Sequence, residues 1–169
     1  MDSLMTTAEV ALAFRDGLLP SDRVPLEQMT RASKFFREDE VAVAVELIED
    51  SLTLGEKSEY RFIVAVQNGA PVGYCCYGFT PCTLHSYQLY WIVVSPAVQR
   101  RGIGRRLLAA VEERVRAAGG RRLYVETSNT SQYEPTRLFY LSCGYRAEAI
   151  LRDFYAPGDD KVIFGKVLA

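Results

Sequence analysis

The segment Val93-Val94-Ser95-Pro96-Ala97-Val98-Gln99-Arg100-Arg101-Gly102-Ile103-Gly104-Arg105-Arg106-Leu107-Leu108 constrains the fold of this chain more than any other. An apolar strand sequence stops at Pro96, a glycine-containing loop follows, and an amphipathic helix opens at once. The first turn of a helix carries backbone N–H groups without intrahelical partners and the positive end of the peptide dipole. Gly102 and Gly104 allow that backbone to approach a ligand closely. Arg100, Arg101, Arg105 and Arg106 add charge beside it, an arrangement suited to a pyrophosphate or a similar anion. The loop lacks the Gly-Lys-Ser/Thr ending of a Walker loop and the third glycine of the dinucleotide fingerprint. Taken alone, it also describes a helix start whose glycine serves packing and whose arginines are solvated.

The flanking sequence supplies the sheet that such a unit requires. Tyr60 to Gln67 and Val72 to Phe79 read as strands joined by a tight Asn68-Gly69 turn, and Tyr87 to Val94 as a central apolar strand. Gly104 to Ala118 places Leu107, Leu108, Val111 and Val115 on one stripe and ends at Gly119-Gly120. Arg122 to Thr127 reads as a buried strand and Pro135 to Cys143 as a short helix. Arg146 to Phe154 and Val162 to Val167 close the chain as strands about a turn-rich Ala156 to Asp160. Upstream, Val41, Val45, Ile48 and Leu52 recur at helical spacing over Arg37 to Leu54, with Glu38, Asp39 and Glu40 in the first turn. Val24 to Thr30 alternates loosely and is taken as a first strand. Residues 1 to about 21 form a weakly patterned extension in which Ala8, Ala11, Leu12 and Leu18 suggest a short helix. The expectation is one α/β domain over residues 1–169, with a mixed, mostly antiparallel sheet of six to seven strands flanked by helices.

Composition narrows the function. A formal net charge of -1 gives no overall field for nucleic acid or an anionic membrane. No apolar run approaches a membrane span, and Asp2 and Glu9 interrupt the N-terminal apolar residues, so a cytoplasmic protein is expected. Cys75, Cys76, Cys82 and Cys143 form no CxxC pair and His85 is the single histidine, which argues against a metal site and for a reducing compartment. Adjacent in a strand, Cys75 and Cys76 should pack on opposite faces as small apolar residues.

Gln99-x-x-Gly102-x-Gly104 after a strand ending Val-Ser-Pro resembles the acyl-CoA-binding motif of the GNAT superfamily of N-acetyltransferases. Phe139-Tyr140-Leu141-Ser142-Cys143-Gly144-Tyr145 is similar to that family's second motif, Tyr-x-x-x-Gly-aromatic, at the expected separation. The resemblance covers roughly residues 60 to 167. It implies a sheet splayed at an acyl-CoA cleft and acetyl-CoA as the acyl donor. The acceptor is then a primary amine of a small molecule or a peptide, attacked directly. It further implies that Gln99, Arg100, Arg101, Gly102, Ile103, Gly104 and Arg105 hold the pyrophosphate and that Ile92, Val93 and Val94 pair with the pantetheine arm like an added strand. The family often places an asparagine seven residues before the tyrosine. Here Asn129, the candidate for that asparagine's cofactor contact, precedes Tyr140 by eleven, so Thr130 to Pro135 reads as an insertion that shapes the acceptor pocket, with Tyr133 at the position expected for the asparagine.

Acetyl transfer to an amine needs a neutral amine, a polarised thioester carbonyl and a proton for the departing thiolate. By the resemblance Tyr140 donates that proton and a backbone N–H near Val94 polarises the carbonyl. Glu126, on an expected buried strand, is the candidate base; its alternative is a salt bridge to Arg137 or Arg152. His85 is a weaker candidate. Tyr74, Tyr77, Phe79, Tyr87, Tyr90, Trp91 and Tyr155 are mostly expected to pack, with a few lining the acceptor site. A non-catalytic acyl-CoA-binding regulatory module is the alternative function, and the chain is expected to act as a monomer or homodimer.

Overall fold

Alternating and continuous apolar segments in the middle and end of the chain assemble into one sheet. In the computed structural model, which describes residues 11–169, the order is β1 (Ala13–Asp16), α1 (Arg23–Ala32), α2 (Glu38–Leu54), β2 (Arg61–Gln67), β3 (Ala70–Phe79), β4 (Ser86–Val94), α3 (Ile103–Ala117), β5 (Arg122–Ser128), α4 (Glu134–Ser142), β6 (Arg146–Ala156) and β7 (Asp159–Val167). The seven strands lie in the order β1-β2-β3-β4-β5-β7-β6. Every pairing is antiparallel except β4 with β5. The expected mixed, mostly antiparallel sheet is therefore present. No described helix is long and apolar enough to cross a membrane.

The strand period of two sorts apolar residues into two cores, one on each face. Leu107, Leu108, Val111 and Val115 of α3, with Tyr140 of α4, pack on Ile63, Cys75, Tyr77, Leu123 and Val125. Leu26 and Met29 of α1 and Ile48 of α2 pack on Phe62, Val64, Tyr74, Cys76 and Val93. Cys75 and Cys76 divide between these faces as alternation requires. Each fully buried aliphatic side chain contributes about 1.5–3 kcal/mol.

Two readings at the N-terminal end are corrected. Val24 to Thr30 is helical: Leu26, Met29 and Thr30 are its buried residues, an i, i+3, i+4 set. Pro25 stands in the first turn, where its missing N–H is tolerated. Thr30 Oγ1 bonds Leu26 O at 2.8 Å and meets the Tyr74 hydroxyl at 2.6 Å, fixing α1 to β3. The short helix suggested by Ala11, Leu12 and Leu18 is replaced by the edge strand β1, paired with β2 from Ala13↔Val66 to Asp16↔Ile63; Ala8 lies outside the described residues. Four residues are too few for alternation to register in the sequence.

The feature that positions a site is a gap in the sheet. Pairing of β4 with β5 ends at Leu89↔Val125, yet β4 continues to Val94 and β5 to Ser128. Beyond that point β4 keeps only β3, and β5 only β7. The β3–β4 register shifts so that Cys76 faces Trp91 and Tyr77 faces Leu89, leaving Tyr90 as an extra residue. Such a bulge bends the strand where it leaves its parallel neighbour.

Candidate active site

A cleft of ≈ 870 Å³ fills the gap between the splayed strands. Its β4 wall presents backbone groups. Successive strand residues direct their N–H and C=O to opposite sides. Ser95 N–H donates to Val72 O at 2.9 Å, and Val93 O lies toward Gly73, 3.1 Å from the position a Cβ there would take. The alternate residues Ile92 and Val94 therefore turn their backbone into the cleft. Val94 O accepts Gln99 Nε2 at 3.2 Å, which ties the following loop back to the strand.

At one end stands the start of α3. Gly102 is its N-cap at φ 76°, without a side-chain cap, and Arg100 has φ 64°. The first intrahelical bond is Arg106 N to Gly102 O, so the N–H groups of Ile103, Gly104 and Arg105 are left for a ligand. A Cβ on Gly104 would stand 3.7 Å from the Phe139 ring and 3.7 Å from Val94 Cγ2, both on the cleft wall. Gly104 thus keeps open a cradle that a side chain would fill, and with these donors it fits a pyrophosphate. The arginines divide their tasks. Arg105 binds Ser142 O and Oγ at 3.2 and 2.9 Å, clamping α3 to α4. Arg106 lies over the Phe14 ring. Arg100 and Arg101 have no protein partner among the described residues, and Arg100 lines the cleft.

Tyr140 forms the floor. It is 3% exposed, lines the cleft and is wedged among the rings of Phe139, Tyr145 and Phe164. Its hydroxyl has no hydrogen-bond partner among the described residues. Burial pushes its pKa well above the ordinary phenol value, so it is protonated at neutral pH. Tyr145 beside it donates to Glu112 Oε1 at 3.1 Å, and Lys166 Nζ joins that carboxylate at 2.8 Å. The same Nζ donates to Cys143 O at 2.9 Å, holding the end of α4.

The opposite end has aromatic and acidic walls. Glu126 is partly exposed at the cleft and pairs with Lys161, Nζ to Oε2 2.6 Å; neither Arg137 nor Arg152 is its partner. Arg137 instead donates to Ser128 O and Thr130 O at 2.8 and 2.9 Å, which satisfies carbonyls at the end of β5 and just beyond it. Tyr155, pushed up to about 12 by burial, and Asp159 come from the β6–β7 hairpin. Phe35, Phe36, Arg37 and Glu40 come from the connection between α1 and α2 and the start of α2.

Of the residues singled out in the sequence, the cleft brings together Ile92, Val93, Val94, Gln99, Arg100, Gly104, Glu126 and Tyr140. Gly102 and Ile103 act through backbone position, and Ile103 buries its side chain in the core. Asn129 is exposed, off the cleft wall, with its N–H on Asp160 O. His85 is an exposed loop residue away from the site. Among the aromatic residues, Tyr90, Trp91 and Tyr155 line the cleft, whereas Tyr74 and Tyr77 are core. Sequence reasoning missed Phe35, Phe36 and Thr127. Phe139 was legible as part of the second motif, but the Phe35-Phe36 pair carried no spacing signal.

Comparison with known proteins agrees with this geometry. Residues 25–145 match the acetyltransferase (GNAT) family. The crystal structure of a protein from Desulfovibrio desulfuricans, described as an acetyltransferase of the GNAT family, is 44% identical with TM-score 0.92, covering 94% of this chain and 100% of that one. The ribosomal-protein-S18-alanine N-acetyltransferase of Escherichia coli shares the fold at 21% identity and TM-score 0.73, covering 94% and 95%. A Salmonella typhimurium protein described as an acetyltransferase, with its cofactor acetyl-CoA, shares it at 18% identity and TM-score 0.72, again covering 94% and 95%. No curated protein matches the sequence. With the family matched across most of its length and its two motifs meeting at one cleft, the chain belongs to the GNAT family of acetyltransferases.

Proposed function

We propose that this enzyme transfers an acetyl group from acetyl-CoA to a primary amine by direct attack. The observation that carries the reading is the unpaired stretch of β4, in one cleft with the open N-terminus of α3 and with the Tyr140 hydroxyl, which has no partner among the described residues. The free N–H groups of Ile103, Gly104 and Arg105, with Arg100 and Arg101, hold the pyrophosphate. Ile92 and Val94 offer cleft-facing backbone groups to an extended amide chain. Acetyl-CoA, when bound there, supplies a thioester whose acyl carbon accepts the amine nitrogen as its C–S bond breaks. The Val94 N–H stabilises charge on the acyl oxygen. Tyr140 holds a proton at its hydroxyl for the departing sulfur, and burial opposes both a free phenolate and a free thiolate, so proton transfer accompanies C–S cleavage. Glu126 takes the proton released by the amine, directly or through water. We place the enzyme in the cytoplasm as a monomer or homodimer, with all four cysteines unpaired.

Calorimetric titration with acetyl-CoA, against ATP and NAD as controls, tests the cofactor assignment. Selective binding of acetyl-CoA is expected. Equal binding of ATP, or no binding of acetyl-CoA near millimolar concentration, overturns it.

A further inference from the structure

The acceptor end of the cleft is spanned by a bridge. Tyr133 Oη donates to Phe35 O at 3.1 Å, and their rings meet edge-on at 6.0 Å between centroids. Gln132 Nε2 donates to Lys34 O at 3.4 Å. These contacts tie the 3-10 turn Ser131–Tyr133, between β5 and α4, to the connection between α1 and α2. Both segments line the cleft, so the bridge joins its two sides. Beneath it Phe36 stands edge-on to Trp91 at 4.7 Å. An extended peptide needs an open channel and partners for its own backbone groups; the bridge crosses the cleft between the two segments that would flank such a chain.

The chamber also has a definite chemistry. Glu40, Glu126 and Asp159 line this end; Arg37, paired with Glu40 at 3.7 Å, is the one guanidinium lining it among the described residues. An ammonium already sits among these groups: Lys161 Nζ lies 2.6 Å from Glu126 Oε2, 3.7 Å from the centroid of Phe154 and 5.7 Å from that of Tyr155. Carboxylates with aromatic faces hold a cationic amine, and the Phe35, Phe36, Trp91 and Tyr133 rings hold an apolar body attached to it. We infer that the acceptor is a small primary amine with an aromatic or bulky apolar body, and that Tyr133 sets this choice by closing the chamber against peptides. The inference rests on the acetyltransferase reading and adds the class of acceptor to it.

Trp91 is the only tryptophan of the chain, so its fluorescence reports occupancy of the chamber without turnover. The probes are 2-phenylethylamine and a tryptophan-free hexapeptide with a free α-amine, each followed by Trp91 emission and by thiol release from acetyl-CoA. We expect 2-phenylethylamine to change the emission saturably and to be acetylated with kcat/KM at least about tenfold above the peptide. Tyr133→Ala should narrow that gap by raising the peptide rate, and Tyr133→Phe, which keeps the ring and loses the bond to Phe35, should do so to a smaller extent. Peptide acetylation equal to or above that of the amine in the natural enzyme overturns the inference while leaving the acetyltransferase reading intact. A gap unchanged in both variants removes Tyr133 as its cause. Saturable emission changes without thiol release sink the acetyltransferase reading and leave the chamber standing. Silence in both signals sinks both.

Discussion

Among the described residues, the Tyr140 side chain is held by rings and by nothing polar. The centroids of Phe139, Tyr145 and Phe164 lie 5.3, 5.7 and 6.1 Å from its own, which leaves the hydroxyl as the one group on this side chain without a settled role. A buried phenol that had only to pack would normally find a partner. Tyr140→Phe keeps the ring contacts and removes the proton. It should lower kcat by about a hundredfold or more while acetyl-CoA affinity stays within about threefold, because the oxygen alone has changed. Steady-state kinetics beside calorimetry separates the two quantities; an equal loss in both, or in neither, would assign Tyr140 to packing. Tyr140 was legible because it sits in a short motif closed by Gly144 and Tyr145. Trp91 and Tyr133 were less so. Their work depends on a partner far away in the sequence, Phe36 for one and Phe35 for the other, and a single sequence carries no signal for such pairs.

At the level of elements, α3 shows how a helix start becomes a ligand site. Two glycines stand there for different reasons. Gly102 has φ 76° and nothing within 4 Å of an added Cβ, so a substitution there carries about 1–2 kcal/mol of left-handed backbone strain and confuses folding with binding. Gly104 is helical, and its added Cβ would meet Phe139 and Val94 at ordinary contact distance. Gly104→Ala should therefore leave the fold intact, and a helical Gly-to-Ala change stabilises by about 0.5–1 kcal/mol. Acetyl-CoA should nevertheless bind at least about tenfold more weakly, a loss of about 1.4 kcal/mol, since the methyl fills the cradle. Thermal unfolding and calorimetry on the same protein make the comparison; unaltered affinity would remove the start of α3 from the site. The sequence made α3 legible because its apolar stripe runs unbroken for four turns. It hid α1, where Pro25 and the run Val24 to Thr30 imitate alternation, and it hid β1, whose edge pairing depends wholly on β2. The gap between β4 and β5 was legible only through the family resemblance, because both strands remain apolar to their ends.

On the scale of the whole molecule, the cleft and the cores are one construction. The sheet can open between β4 and β5 because each wall is held from behind: β4 by β3 and the core beneath α1 and α2, β5 by β7 and the core beneath α3 and α4. That support depends on groups that ionise in water but are too deeply buried to do so in the fold. The Cys75 thiol, ordinarily near 9.0, is pushed up to about 12 by burial, and Cys76 is raised by burial as well. Tyr77, ordinarily near 10.0, is pushed up to about 12 by the same cause. Below pH about 9 both states keep these protons, and pH has no leverage on stability through them. Above it the unfolded chain releases protons that the folded one retains, so stability falls as pH rises, by up to about 1.4 kcal/mol per unit for each such group, until the folded values of Cys75 and Tyr77 near 12 are reached. The urea midpoint should therefore decline steadily from pH 9 upward, and Cys75→Ala should shallow the decline between pH 9 and 10, where the tyrosines of the unfolded chain are still largely protonated. A midpoint that held level through pH 11 would mean that water reaches these thiols in the folded state. The two cores would then be too loose to hold β4 and β5 apart, and the cleft would have to be maintained by its ligand rather than by the fold.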